Sequence, residues 1–222
     1  MSTTTRRSNA AASKARQRRA VIWSVCALVA IGVLFAIYQN GTGNRRATGQ
    51  GATGDRKPAY QVGSPAIGKP APNFRLASTT GAPLDLTSYR GKTVLLYFQE
   101  GLSCQPCWDQ ITDLEKDPSA LRAAGIDQVV SITTDPVNLL KRKAADEGFN
   151  TPVLSDPDLA VSRQYQANSY GMMGTSRDGH SFVLVGPDGT IKWRADYGGA
   201  PDYTMYVPPT QLLADLKSGR QA

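Results

Sequence analysis

From Ser64 onward, short apolar runs alternate with amphipathic stretches, a rhythm that predicts an ordered series of strands and helices. An extended segment over Asn73 to Ser78 precedes a Gly81-Ala82-Pro83 turn and a short strand at Leu84 to Leu86. Thr93 to Gln99 is apolar almost throughout, the pattern of a strand covered on both faces. A helix is expected from Cys104 to about Ala124, broken near Asp117-Pro118, followed by a second buried strand from Gln128 to Thr134. Asp135-Pro136 begins another helix that runs to about Gly148, with proline in the first helical position. Then come a short apolar piece at Pro152 to Leu154 and a helix from Asp158 to about Gln166. Strands Ser181 to Val185 and Thr190 to Arg194 flank Gly186-Pro187-Asp188-Gly189, a hairpin turn signal, and a helix from Pro209 to about Lys217 follows. Such alternation with a terminal hairpin predicts an α/β fold whose mixed central sheet is flanked by helices on both faces.

Ahead of Ser64 the pattern changes. Val21 to Gln39 carries no charge over nineteen residues, which at about 1.5 Å per residue span roughly 28 Å, close to a hydrocarbon core. Arg6, Arg7, Lys14, Arg16, Arg18 and Arg19 precede it with no acid among them. The bias of such bases toward the inner side predicts a basic cytoplasmic tail at 1–20 and a single transmembrane anchor at 21–39, with everything beyond outside the cytoplasm. The run exceeds the apolar core of a cleaved signal peptide, and no clear small-x-small site follows it. Residues 40–63 are rich in Gly, Thr, Arg and Gln, too polar to bury a core, and read as a flexible linker; 64–222 is then one domain. Setting aside the six basic residues of the tail leaves 19 Lys and Arg against 18 Asp and Glu, so nothing in the charge asks for nucleic acid.

The candidate chemistry sits at Cys104-Gln105-Pro106-Cys107, directly behind the central apolar run and at the start of a predicted helix. Cysteines three apart in a first helical turn share a face, where their sulfurs can join with little backbone movement. Cys104 falls at the N-cap, where free backbone amides and the positive end of the helix dipole favour the attacking thiolate. A structural disulfide or half a zinc site would use the same motif, but zinc needs four ligands. The remaining cysteine is Cys26, within the apolar run, and the single histidine is His180.

Larger motifs surround the cysteines: Ile67-Gly-Lys-Pro-Ala-Pro-Asn-Phe-Arg-Leu76, Gly81-Ala-Pro-Leu-Asp-Leu86, Tyr89-Arg-Gly-Lys92, Val94-Leu-Leu-Tyr-Phe98 and Phe182-Val-Leu-Val-Gly-Pro-Asp-Gly-Thr-Ile191. With them, 64–222 resembles the thioredoxin-like redoxin superfamily, in particular its AhpC/TSA and TlpA/ResA-type branch. The resemblance implies a thioredoxin-like fold and a thiol-disulfide oxidoreductase, with Cys104 as nucleophile and Cys107 as the resolving cysteine. It would need no cofactor and would act on protein thiols or disulfides outside the cytoplasm. Peroxiredoxins carry Pro-x-x-x-Thr-x-x-Cys. Counting back from Cys104 gives Gly101 and Tyr97, and from Cys107 gives Cys104 and Glu100, so the signature is absent and dithiol exchange is expected ahead of peroxide reduction. Glu100 and Trp108 are auxiliary candidates, the first as a proton carrier and the second at the site's rim or against the first helical turn.

Thioredoxin-type exchangers also place a cis-proline ahead of the strand that matches Phe182, where this chain has Asp178-Gly179-His180-Ser181. Gly179-His180-Ser181 is similar to the histidine element of Sco-type copper chaperones. That resemblance implies an alternative function as a Cu(I) carrier with Cys104, Cys107 and His180 as ligands, since two thiolates and an imidazole suit copper. Met172 and Met173 lie just upstream as further soft donors.

Overall fold

The structure, a computed structural model, describes residues 59–220. The basic tail, the anchor at 21–39 and nearly all of the linker lie outside the described residues. Among the described residues no helix is long and apolar enough to cross a membrane.

Strands β1 (Arg75–Ser78), β2 (Leu84–Asp85), β3 (Val94–Phe98), β4 (Gln128–Thr133), β5 (Val153–Ser155), β6 (Ser181–Val185) and β7 (Ile191–Asp196) form one sheet in the order β2-β1-β5-β4-β3-β6-β7. The β5-β4-β3 core is parallel, while β1, β2, β6 and β7 join by antiparallel pairing. Helices α1 (Gln105–Glu115), α2 (Pro118–Ala123), α3 (Val137–Glu147), α4 (Ala160–Gln164) and α5 (Pro209–Gly219) connect and cover the strands. The mixed sheet with helices on both faces is as the apolar pattern indicated, and the α/β thioredoxin-like arrangement is as the resemblance implied.

Alternation along β3 divides the core. Leu95 and Tyr97 face one side with Phe182, Leu184 and Trp193, under Ile111 and Leu114 of α1, Leu140 of α3, and Leu212 and Leu216 of α5. Val94, Leu96 and Phe98 face the other side with Val130, Ile132 and Val183, against Phe74, Val161 and Tyr165. A strand with all five residues buried needs both layers.

The expected break in the long helix is present, because Asp117 accepts from the Ala120 amide and Pro118 starts a new helix. The strand expected to reach Leu86 stops at Asp85, whose carboxylate accepts from Thr87 N and turns the chain into a 3₁₀ segment, Leu86–Tyr89. Pro136 caps α3 rather than opening it, and Gly148 ends it.

Two features position the ends of the sheet. Phe98, Ser181 and Asp196 stand level across β3, β6 and β7, so β3 and β7 finish at the same end. There Gln61 pairs with Asp196 as an isolated bridge. The fully buried Arg194 grips Asp196 at 2.8 Å. Arg194 also donates to the Ser64 carbonyl, and Asp196 accepts from Gly63 N.

Candidate active site

Cys104 and Cys107 are joined by a disulfide, with Cα atoms 5.3 Å apart. Cys104 is the N-cap of α1, and Pro106 lies in the first turn, where its missing N–H leaves no helical bond unmade. The strand-loop-helix path beneath the sulfurs is tightly tied. Gln99 donates to Ser131 Oγ and accepts from Gly101 N. Gly101 has φ +88°, and a Cβ there would fall 1.8 Å from Asp135 Oδ2, so only glycine fits. The Gly101 carbonyl accepts from Cys104 N and from the Trp108 indole. Asp135 takes the Leu102 amide at 2.7 Å and pairs with Arg177 at 3.1 Å, while Arg177 also donates to the Glu100 carbonyl.

Only a sliver of the disulfide meets solvent: Cys104 is 6% exposed and Cys107 is fully buried, with Met205 packed against both. The more accessible cysteine is thus the one predicted as nucleophile. Because it caps α1, a negative charge forming on it faces unpaired amides and the positive end of the helix dipole.

Of the auxiliary candidates, Trp108 is not at a rim. It is fully buried, stacks on Phe149 and lies beneath Lys143, because α1 turns its side chain into the core. Lys143 is itself held by Gln105 and Glu147. Glu100 is buried too, and its carboxylate accepts from Met172 N, anchoring the 170–178 loop beside the site.

His180 is linked to the cysteine motif through Tyr97. Its Nδ1 lies 2.9 Å from the Tyr97 hydroxyl, which also donates to the Cys107 carbonyl at 3.3 Å. Full burial pushes the imidazole down to about 3 and holds it neutral. Burial, with the Glu100 charge adding to it, pushes the Tyr97 phenol well up. Among the described residues no group of three or more His, Cys, Asp or Glu side chains is placed to hold a metal ion. Met172 and Met173 are exposed on their loop. Gly179 stands where an exchanger would have its cis-proline, and a Cβ there would fall 1.5 Å from the Tyr170 carbonyl oxygen. That carbonyl instead accepts from His180 N.

Tyr97 was not singled out from the sequence. Its signal was present as alternation: Leu95 and Tyr97 share the face that carries α1, and a hydroxyl on that face points at the helix. Asp135, Arg177 and the buried Asp178 left no local pattern, being paired or buried through distant segments.

A profile described as the AhpC/TSA family matches residues 67–194. The chain belongs to the AhpC/TSA family. Peroxiredoxin Bcp of Escherichia coli (strain K12) is 34% identical over 125 residues, which is 55% of this chain and 80% of that relative. Among solved structures, peroxidoxin BcpB of Mycobacterium tuberculosis superposes with a TM-score of 0.57 at 21% identity, covering 68% of this chain and 96% of that one. The bacterioferritin comigratory protein of Xanthomonas campestris, described with an alkyl peroxide reduction activity, gives 0.54 at 20% identity over 65% of this chain and 90% of its own. As an AhpC/TSA protein, the chain is a thiol-dependent oxidoreductase on a thioredoxin-like fold.

Proposed function

We propose that Cys104 and Cys107 form one redox-active pair that reduces peroxide with electrons drawn from a protein dithiol. The observation that carries this reading is the disulfide closed between these two sulfurs at the N-cap of α1. The absent Pro-x-x-x-Thr-x-x-Cys signature favoured disulfide exchange first; the family and a 34% identical peroxiredoxin reverse that order. The Cys104 thiolate attacks the peroxide O–O bond, forming a sulfenic acid and releasing the alcohol or water once its oxygen takes a proton. The Cys107 thiol then displaces hydroxide from that sulfur, closing the disulfide and yielding water. A partner dithiol restores both thiols by exchange and leaves as a disulfide. All electrons pass through sulfur, so no metal or organic cofactor is required.

The placement is proposed as a single-pass anchor at 21–39 with the basic tail in the cytoplasm and the oxidoreductase domain outside it. The nineteen-residue uncharged run behind six basic residues supports this.

The test is peroxide consumption by the pre-reduced protein, supplied with a thioredoxin-type dithiol. Turnover is expected in the parent, with loss of both thiols per first equivalent of peroxide. Cys104→Ser should lower the rate at least a hundredfold. Rapid disulfide exchange with no peroxide consumed would replace the peroxidase reading by that of a dithiol exchanger.

A further inference from the structure

Beside the backbone of Cys107, one hydroxyl joins two buried groups. Tyr97 Oη lies 3.3 Å from the Cys107 carbonyl oxygen and 2.9 Å from His180 Nδ1. Tyr97 pairs with Phe182 across β3 and β6, and alternation puts position 180 on that same face, the one that carries α1. Both rings are fully buried. Tyr97 stacks on Phe182 with centroids 4.6 Å apart, and His180 meets Tyr97 edge-on at 5.0 Å. Both side chains are thus enclosed by aromatic packing as well as hydrogen-bonded.

A phenol has one hydrogen. With it donated to the Cys107 carbonyl, His180 Nδ1–H donates to the phenol oxygen, and Nε2 keeps a lone pair. Among the described residues that Nε2 has no hydrogen-bond partner, although it is buried. An unused acceptor in a core is costly unless some state of the protein uses it.

We infer that Tyr97 and His180 are a positioning pair that sets the redox equilibrium of Cys104 and Cys107. The inference rests on the cysteine pair being redox-active, but not on peroxide being its oxidant. In the oxidised protein the Cys107 sulfur needs no partner. Reduction adds two electrons and two protons from a dithiol or from two glutathione molecules, and it leaves a thiol at a position that is fully buried. That thiol brings a new donor into the core, and the pair that holds the Cys107 carbonyl has spare capacity. The phenol hydrogen and the imidazole tautomer can both readjust as the Cys107 backbone and side chain settle into the reduced form. The network therefore stabilises the reduced form more than the oxidised one, and its loss makes the disulfide harder to reduce.

The experiment equilibrates the full chain at pH 7 in glutathione buffers of graded ratio, with thiol trapping to read the reduced fraction. Tyr97→Phe removes a single oxygen and keeps the stacked ring. It is expected to lower the equilibrium constant for reduction about tenfold, which corresponds to about 30 mV. His180→Phe should shift it in the same direction, and His180→Gln, which restores a side-chain acceptor and donor, should recover most of the shift. A merely structural role would lower the melting temperature of oxidised and reduced forms alike and leave the equilibrium unchanged, and that result overturns the inference. A shifted equilibrium in a protein that consumes no peroxide would refute the peroxidase reading alone. Peroxide turnover with an unshifted equilibrium would refute this inference alone.

Discussion

Asp178 and His180 are both fully buried and lie two residues apart, yet their ionisation pulls stability in opposite directions. His180 is held down to about 3 by burial. Below about pH 6.5 the unfolded chain takes up a proton that the folded one refuses, so acid removes stability between about 6.5 and 3, by up to about 1.4 kcal/mol per pH unit. Asp178 is pushed well above 3.8, first by burial and further by the nearby Asp156. The folded protein keeps a proton that the unfolded chain releases, so stability is lost as pH rises past about 4. Between about pH 4 and 6.5 the two slopes oppose each other. Asp178→Asn should therefore leave stability that climbs with pH across this range, and His180→Phe stability that falls. Urea midpoints taken from pH 4 to 7 check both, and parent-like flat curves in the two variants would contradict the burial of these groups. At this scale the cysteines were plain in the sequence because their chemistry is local. The place of His180 as the neighbour of a tyrosine depends on β6 pairing with β3, which no short window encodes.

At the scale of elements, the loop from Gln99 to Cys104 holds the reactive sulfurs at the end of β3, and its stiffness comes from outside itself. Asp135 accepts the Leu102 amide and faces Arg177, and Arg177 closes onto the Glu100 carbonyl. Asp135→Ala orphans a backbone donor and leaves a partly covered guanidinium unpaired, an expected loss of about 2 kcal/mol. Amide exchange at Leu102 should accelerate by at least tenfold; unchanged protection would show that the clamp does not hold the loop. Strands β3, β4 and β6 could be read to within a residue because doubly buried strands announce themselves as apolar runs. The split between α1 and α2 was equally plain, since Asp117-Pro118 both ends one helix and caps the next. Periodicity shows which face of an element is covered but not what covers it. Trp108 was accordingly given two places, the rim or the first helical turn, and the structure puts it in the core with its indole on the Gly101 carbonyl, while Glu100, weighed as a proton carrier, ties down the loop at Met172 in a contact that periodicity does not show.

For the whole molecule, the alternation of strands and helices was enough to draw a mixed sheet with two covered faces, because each element has one solution for burying its apolar side. Which oxidant the site meets was not decided by the same residues: counted back from Cys104, Tyr97 and Gly101 stand where a peroxiredoxin signature has proline and threonine, and the family relation changed the weighting. The proposed topology has its own test. In intact cells, after mild reduction, a membrane-impermeant maleimide should label Cys104, and labelling that requires lysis would put the domain on the other side. Geometry adds one constraint to that arrangement. Gln61 and Gly63 are stitched to Asp196, at the same end of the sheet as the close of β3 and the start of the path to Cys104. The start of the described chain and the loop that leads to the reactive sulfurs thus share one pole of the domain. Any partner that regenerates the thiols must therefore approach the end of the sheet at which Gln61 and Gly63 are tied down, so that bulk added to this first described stretch of chain would compete with the reductant for the same approach.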